Sequence, residues 1–289
     1  MPELPEVQTV VAHLNQAQVI GRTIVNARVY WPKTIARMDS RRFCREIRGC
    51  VVRRITRRGK YIVVALSRHL TMLIHLRMTG RLNLVDPTTD RDPHEHVILE
   101  LDHARELRFQ DTRKFGRIAL TDAPRAILDR LGPEPLAPAF TGKRLLGMLQ
   151  ACRRQLKPLL LDQRFLAGLG NIYVDEALWM AGLHPLRISR SIDGAEAAAL
   201  HRAIRRVLRK GIDNLGTSLG RGKGNFYSTN KRPGRNADQL NVFRRTGLPC
   251  PRCKTAVTRL IVAQRSTHIC PNCQQLAPQP TVSNVDGAK

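Results

Sequence analysis

Aromatic side chains make up only 4% of this chain, and Asp plus Glu number 23 against 49 Lys plus Arg. So few rings rank an RNA-binding role last, because single-stranded RNA is read largely by stacking its bases on aromatics. No stretch approaches the roughly 18 consecutive apolar residues of a membrane span. The N-terminus is acidic and proline-bearing and lacks the basic and apolar regions of a secretory signal, so a soluble, cytoplasmic protein is expected. Seven cysteines, an odd number, argue against a disulfide framework in such a protein.

What is present in excess is positive charge. The 289 residues carry a formal net charge of +26, far beyond what solubility needs. That excess implies a polyanionic partner, with nucleic acid the default and an anionic membrane the alternative. The length suffices for two domains with cores of their own.

The first six residues, Met1-Pro2-Glu3-Leu4-Pro5-Glu6, concentrate unusual chemistry. Removal of Met1 leaves Pro2 with a terminal secondary amine, and a free α-amine titrates at about 7.7–8.0. Its neutral form is a nucleophile suited to Schiff-base formation. Glu3 and Glu6 bracket it as candidate acid, base or orienting groups. Val7, Val10, Val11 and Leu14 then recur at i, i+3, i+4 and i+7, the stripe of an amphipathic helix. Pro5 and Glu6 suit its first turn. The same residues also fit a terminus that merely caps a helix.

Short β-rich runs follow from Thr23–Tyr30 to Arg117–Leu120, separated by Gly, Asp and Pro, which predicts an antiparallel sandwich. Lys60 falls at a hairpin tip after Arg57-Arg58-Gly59, a basic run placed for phosphate. Met78 precedes a Gly turn, and Arg113-Lys114-Phe115-Gly116 sets cations beside an aromatic. These are residue types that wedge into a base stack. His94 and His96 flank Glu95 and read as a polar turn or a DNA contact rather than a metal site.

Leu131-Gly132-Pro133-Glu134-Pro135-Leu136-Ala137-Pro138 reads as a stiff linker, after which the period becomes helical. Gly168-Leu169-Gly170-Asn171 sits between helices, where Asn171 can cap the second and exposed amides can clamp phosphate; the glycines can equally serve only to turn the chain. Residues 195–209 form a helix with a basic face of Arg202, Arg205, Arg206 and Arg209, and residues 216–236 read as a mobile basic loop. Cys250-Pro-Arg-Cys253 and Cys270-Pro-Asn-Cys273 are two knuckles spaced for one structural, four-thiolate zinc ion. Arg259, Arg265 and His268 lie on the hairpin between them, suited to a groove. Cys44, Cys50 and Cys152 read as ordinary thiols, and the tail beyond about Gln275 as disordered.

Together these pieces resemble the bacterial formamidopyrimidine-DNA glycosylase family, relatives of endonuclease VIII. The resemblance rests on Pro2-Glu3-Leu4-Pro5-Glu6-Val7, Arg113-Lys114-Phe115-Gly116, the 131–136 segment, Gly168-Leu169-Gly170-Asn171-Ile172-Tyr173, Gln264-Arg265-Ser266-Thr267 and the four cysteines. It implies an α+β architecture: a β-sandwich with a terminal helix (1–130), a linker (131–140), a helix-two-turn-helix domain (141–240) and a zinc finger (241–275). It also implies a monomeric repair glycosylase with lyase activity on double-stranded DNA bearing oxidised purines or abasic sites. Pro2 would be the nucleophile, Glu3 the acid at the sugar ring, and Lys60 and Arg265 the groups near phosphates. Glu6 would orient the helix, and Met78, Arg113 and Phe115 would fill the void left by the extruded base. Lys60, His94, Arg153, Lys157, Asn171 and Arg265 would contact phosphates. One departure is the longer, more basic segment after Gly216-Thr217-Ser218, with Asn225-Phe226-Tyr227 inserted; it keeps an oxidised-pyrimidine preference open. A non-enzymatic zinc-ribbon DNA-binding protein would explain the charge and the cysteines, but not the proline followed by two carboxylates.

Overall fold

The computed structural model describes residues 2–220, 226, 227, 229 and 232–276. Met1, parts of the basic 216–236 segment and the tail from residue 277 lie outside the described residues. The chain opens with α1 (Leu4–Gln16), followed by β1 (Ile24–Val29), β2 (Ile35–Ala36) and α2 (Ser40–Ile47). A run of strands comes next: β3 (Val52–Arg58), β4 (Tyr61–Leu66), β5 (Thr71–His75), β6 (Arg81–Val85), β7 (Glu95–Leu101), β8 (Arg105–Gln110) and β9 (Arg117–Thr121). The helical half holds α3 (Arg125–Leu128), α4 (Gly142–Gln150), α5 (Leu156–Leu161), α6 (Asn171–Ala181) and α7 (Gly194–Asp213). The hairpin β10 (Thr258–Val262) and β11 (Arg265–Ile269) closes the described fold.

The predicted sandwich is two sheets, ordered β1-β7-β8-β6 and β2-β9-β5-β4-β3. One pairing departs from the antiparallel expectation: β2 runs parallel to β9, Ile35 opposite Ile118. The short helix α2 was not expected either. Its polar face carries Arg41, Arg42 and Arg45 beside Ser40 and Glu46, while Phe43 and Ile47 are buried and Asp39 caps it by accepting from the Arg42 amide.

The stripe read from the sequence does bury α1, but the helix serves two cores. Val7, Val10, Val11 and Leu14 belong to the sandwich core. Leu4, one turn earlier, belongs to the core of the helical half with Leu145, Leu149, Ile172 and Tyr173. The N-terminus is therefore held between the two halves rather than frayed. Linker residues 131–138 are not a free spacer. The Gly132 amide donates to Gln163 O (2.9 Å), the Ala167 amide to Pro133 O (3.1 Å), and the Arg58 guanidinium to the carbonyls of Leu131 and Gly132.

Helix α6 ties the hairpin to the helical half. Its Glu176 carboxylate is buried and accepts from the amides of Asn241, Val242 and Phe243 at 2.9–3.0 Å. Trp179, one turn on, packs with Val242, Val257, Cys250 and Cys270. In Glu176→Gln, an amide NH2 must face some of these buried donors. We expect a loss of about 1–3 kcal/mol in denaturant unfolding, as for a buried group left unsatisfied; an unchanged midpoint contradicts the bracing role.

Candidate active site

Pro2 is buried at the start of α1, next to two buried carboxylates. Glu3 lies at the N-terminus of α6, where Oε1 accepts from the Ile172 amide (2.9 Å) and Oε2 from the Tyr173 amide (3.3 Å). The helix end thus receives an acid from a residue far away in sequence. Gly170, not Asn171, is the N-cap, and a Cβ there would collide with the Glu3 carboxyl group. At Gly168, whose φ is +95°, a Cβ would sit 2.6 Å from Leu4 Cδ1, and its carbonyl accepts from the Leu4 amide (3.0 Å). The glycines of this turn therefore make room for the N-terminal residues, a use that their spacing alone does not reveal.

Burial outweighs the helix end. It raises the Glu3 carboxyl from 4.5 to about 7, against the pull of the Lys60 ammonium and with the push of Glu6. Glu6 is also raised by burial, while the Glu3 amide (2.8 Å), the Thr217 amide (2.7 Å) and the Tyr173 hydroxyl (2.8 Å) donate to its carboxylate. Tyr173 reaches it because Gly211 of α7 leaves the ring its space; a Cβ there would be 2.5 Å from the hydroxyl. Glu6 thus bonds to both halves of the fold, and Tyr173 and Thr217 are its unforeseen partners.

Lys60 does sit in the β3–β4 turn, but it points inward and is 5% exposed. Burial lowers its pKa, opposed by Glu3 and Glu6 and reinforced by Arg265. The neighbouring arginines are not free for phosphate. Glu134 takes Arg57 (2.8 Å) and Arg58 (3.1 Å) and also accepts from the Gly59 amide, so the linker pins the turn that presents Lys60.

The wedge candidates meet through Asp111, which the sequence offers only as another turn residue. Its fully buried carboxylate accepts from the Thr79 hydroxyl and from the amides of Arg113 (3.2 Å) and Gly116 (2.6 Å). The Met78 turn and the 113–116 turn are thereby clamped together. Met78 is half-buried, and Arg113 lies over the Phe115 ring at 5.0 Å, with Phe115 48% exposed. Burial lowers the His75 pKa to about 3, so its neutral ring accepts the Arg77 amide at Nδ1 (3.1 Å) and sets the start of the Met78 turn.

The expected phosphate contacts separate. His94 is half-buried beside the wedge, its carbonyl accepting from the Asp111 amide (2.9 Å). Arg153 is exposed between α4 and α5. Asn171 donates to Ser266 O (2.9 Å), and its Oδ1 is buried without a partner. Arg265 is exposed at the end of a two-residue turn whose Ala263 and Gln264 both have positive φ. Lys157 is placed away from the surface. Its ammonium is fully buried, paired with Asp175 (2.6 Å) and donating to Ser266 O (3.0 Å), so as placed it braces the hairpin instead of reaching a phosphate. His268 also faces inward: its amide donates to Asp175 Oδ2 (2.9 Å), which removes it from any groove. Arg259 bonds the Ser266 hydroxyl at 2.8 Å.

The sulfurs of Cys250, Cys253, Cys270 and Cys273 all lie within 4.8 Å of one another. A tetrahedral zinc with Zn–S bonds of about 2.3 Å has edges of about 3.8 Å, so the set fits one structural ion. The Trp179 indole donates to Cys250 Sγ (3.3 Å), fixing one ligand from outside the finger. No other cluster of this kind, at His94 and His96 included, occurs among the described residues.

A sandwich and a helical domain that close on Pro2 and a buried acid, with the clamped Met78 and 113–116 turns and a zinc hairpin beside them, define a helix-two-turn-helix DNA glycosylase. Three family profiles agree: the formamidopyrimidine-DNA glycosylase N-terminal domain over residues 1–118, its H2TH domain over 131–221, and the zinc finger found in FPG and IleRS over 247–276. The chain is 46% identical over 275 residues to a formamidopyrimidine-DNA glycosylase of Protochlamydia amoebophila, covering 95% of this chain and 100% of that one. It is 45% identical over 277 residues to one of Herpetosiphon aurantiacus, with 95% and 100% covered. A Lactococcus lactis FPG mutant in complex with a Fapy-dG containing DNA superimposes with TM-score 0.88 at 34% identity, covering 95% of this chain and all of that one. The Lactococcus lactis Fpg bound to abasic-site DNA gives 0.87 at 33% identity, with the same coverage. The chain belongs to the formamidopyrimidine-DNA glycosylase family.

The raised Glu3 pKa has a thermodynamic consequence. The folded protein keeps this proton up to about pH 7, whereas the unfolded chain loses it near 4.5. Stability therefore falls as pH rises through that window, by up to about 3 kcal/mol from this group, and is flat above it. The stability of Glu3→Gln relative to the parent should rise between pH 4.5 and pH 8, whatever fixed cost its amide incurs against the Ile172 and Tyr173 donors, read as the difference between two pH–stability curves. Parallel curves contradict the shift.

Proposed function

We propose that this chain excises oxidised purines, 8-oxoguanine and formamidopyrimidines, from duplex DNA and then cleaves the strand. The observation that carries the reading is the Glu3 carboxyl, raised to about 7 and held on a helix N-terminus beside Pro2. With Met1 removed, the Pro2 nitrogen attacks C1′ of an extruded nucleotide, the C1′–base bond breaks, and the base departs with the electron pair and with the proton that the attacking nitrogen sheds. Glu3, protonated near neutrality, delivers its proton to O4′ as the C1′–O4′ bond opens, leaving the proline Schiff base. Loss of a C2′ proton then expels the 3′ phosphate, and a second elimination the 5′ phosphate. Lys60 and Arg265 stabilise the phosphates, the lowered Lys60 pKa also fitting it to move a proton. Glu6 positions α1. Met78, Arg113 and Phe115 occupy the vacated stack, while His94, Arg153 and Asn171 hold the backbone. Zinc supplies no chemistry here; it shapes the hairpin that presents Arg265. The place of action is the cytoplasm, where the cysteine thiols stay reduced for the metal.

A second reading, oxidised pyrimidines, has its own support. The Lactococcus lactis Fpg has also been solved with an oxidized pyrimidine containing DNA. The inserted Phe226 packs into the sandwich core, and Tyr227 lies 4.8 Å under the Arg81 guanidinium, so the loop after Ser218 has anchors of its own.

Borohydride trapping on duplexes with either lesion tests both readings. We expect a reduced adduct on the 8-oxoguanine duplex that Pro2→Gly diminishes by roughly 100-fold or more. Glu3→Gln should lose base excision more than strand cleavage at a preformed abasic site. A stronger adduct on the pyrimidine lesion favours the second reading, and none on either lesion, with Met1 absent by mass, rejects the enzyme.

A further inference from the structure

Helix α7 carries an electropositive surface that the active site does not use. Its inner face, Leu200, Ala203, Ile204, Val207 and Leu208, is buried against α1, α4 and α6. Gly211 on the same face meets Tyr173, the partner of Glu6, so this side looks toward the active site. Arg202, Arg206 and Arg209 recur at i, i+4 and i+7 on the other side, and all three are exposed. At about 100° per residue they lie roughly opposite the buried stripe, with the body of α7 between them and Glu6.

The three arginines have no hydrogen bond or ion pair with any described residue. Their neighbours do. Arg205 donates to the carbonyls of Pro135 and Ala137 (3.0 Å each), and Lys210 to Gln239 O (3.2 Å). These five cations line a shallow groove of about 570 Å³, in which Asp213 is the one acid among the described residues. The flanking cations are therefore fixed to the groove wall, and the central three project without partners among the described residues. Like charges four residues apart weaken a helix by a few tenths of a kcal/mol per pair. A polyanion in the groove reverses the sign of that interaction.

We propose that this groove is a second DNA-binding site, which holds the phosphate backbone of an undamaged duplex segment while the active site holds another. The residue type favours phosphate: guanidinium forks engage it bidentately. So does the spacing. From Arg202 to Arg209 the helix rises about 10 Å, a length over which duplex DNA presents about six phosphate charges. An extended acidic peptide offers about three residues over that length. A site of this kind lets the protein pass between DNA segments without full release.

The proposal rests on the active site being a DNA site, and the test separates the two. The Met1-free full-length protein is combined with a short duplex bearing a non-cleavable abasic analogue, and the one-to-one complex is purified. A labelled undamaged duplex is then titrated in at several salt concentrations. We expect salt-dependent binding of the second duplex to the complex, weakened at least about 10-fold at 0.1 M salt in R202Q/R206Q/R209Q and largely kept in the corresponding triple Lys variant. Excision from a short lesion duplex should be unchanged in both. Equal second-duplex binding by parent and triple Gln variant, or none by the parent complex, overturns the proposal, as does tighter capture of poly-glutamate than of DNA. If no one-to-one complex forms, it is the active-site reading that fails. The same titration of free parent and variants then decides the groove.

Discussion

Two carboxylates buried side by side at the junction of the domains are the constraint on which the rest of the structure depends. Glu3 and Glu6 sit one turn apart at the start of α1, both fully enclosed, and each is satisfied by donors from the helical half. A buried carboxyl group without partners is costly whether it is ionised or protonated, so the donors must be placed accurately. The α6 N-terminus supplies two amides, and the turn after α7 supplies another. Gly168, Gly170, Gly211 and Gly216 each leave out a side chain where Leu4, Glu3, Tyr173 and Glu6 need the space. Four glycines spread over some fifty residues thus serve one pair of acids, and they join the domains by making the active site.

The same economy of charge runs through the basic residues. A chain with a net charge of +26 invites the reading that its cations are for DNA. Several are internal instead: Arg57 and Arg58 on Glu134, Arg108 between Glu95 and Glu106, and Lys157 on Asp175. Each acid so engaged locks a turn that presents something else, Lys60 in the first case and the Arg265 hairpin in the last. Glu134, Glu95, Glu106 and Asp175 are thus structural acids, each paired with a cation that does not face solvent freely.

Periodicity and spacing made much of this legible. The stripe Val7-Val10-Val11-Leu14 gave α1 and its buried side, the cysteine spacing gave the zinc site, and the alternation of short strands gave the sandwich. Long-range pairing was not legible. Nothing local marks Asp111 as the clamp of two wedge turns, or Tyr173 as a partner of Glu6, since those contacts link residues 32 and 167 positions apart. The phosphate contact of Lys157 was implied by the family resemblance alone, and only the fold reveals that Asp175 lies against its ammonium. Asn171 was misplaced by one position because Glu3, not a neighbouring side chain, satisfies the helix end.

Burial, winning over a helix N-terminus and a nearby lysine, keeps Glu3 protonated near neutral pH. The most direct measurement is a ¹³C NMR titration of the Glu3 side-chain carboxyl in the Met1-free protein, assigned by its loss in Glu3→Gln. The expected midpoint lies near 7. A midpoint at or below the ordinary 4.5 would mean that the amides and Lys60 dominate, and that Glu3 is an anion at the sugar rather than its acid.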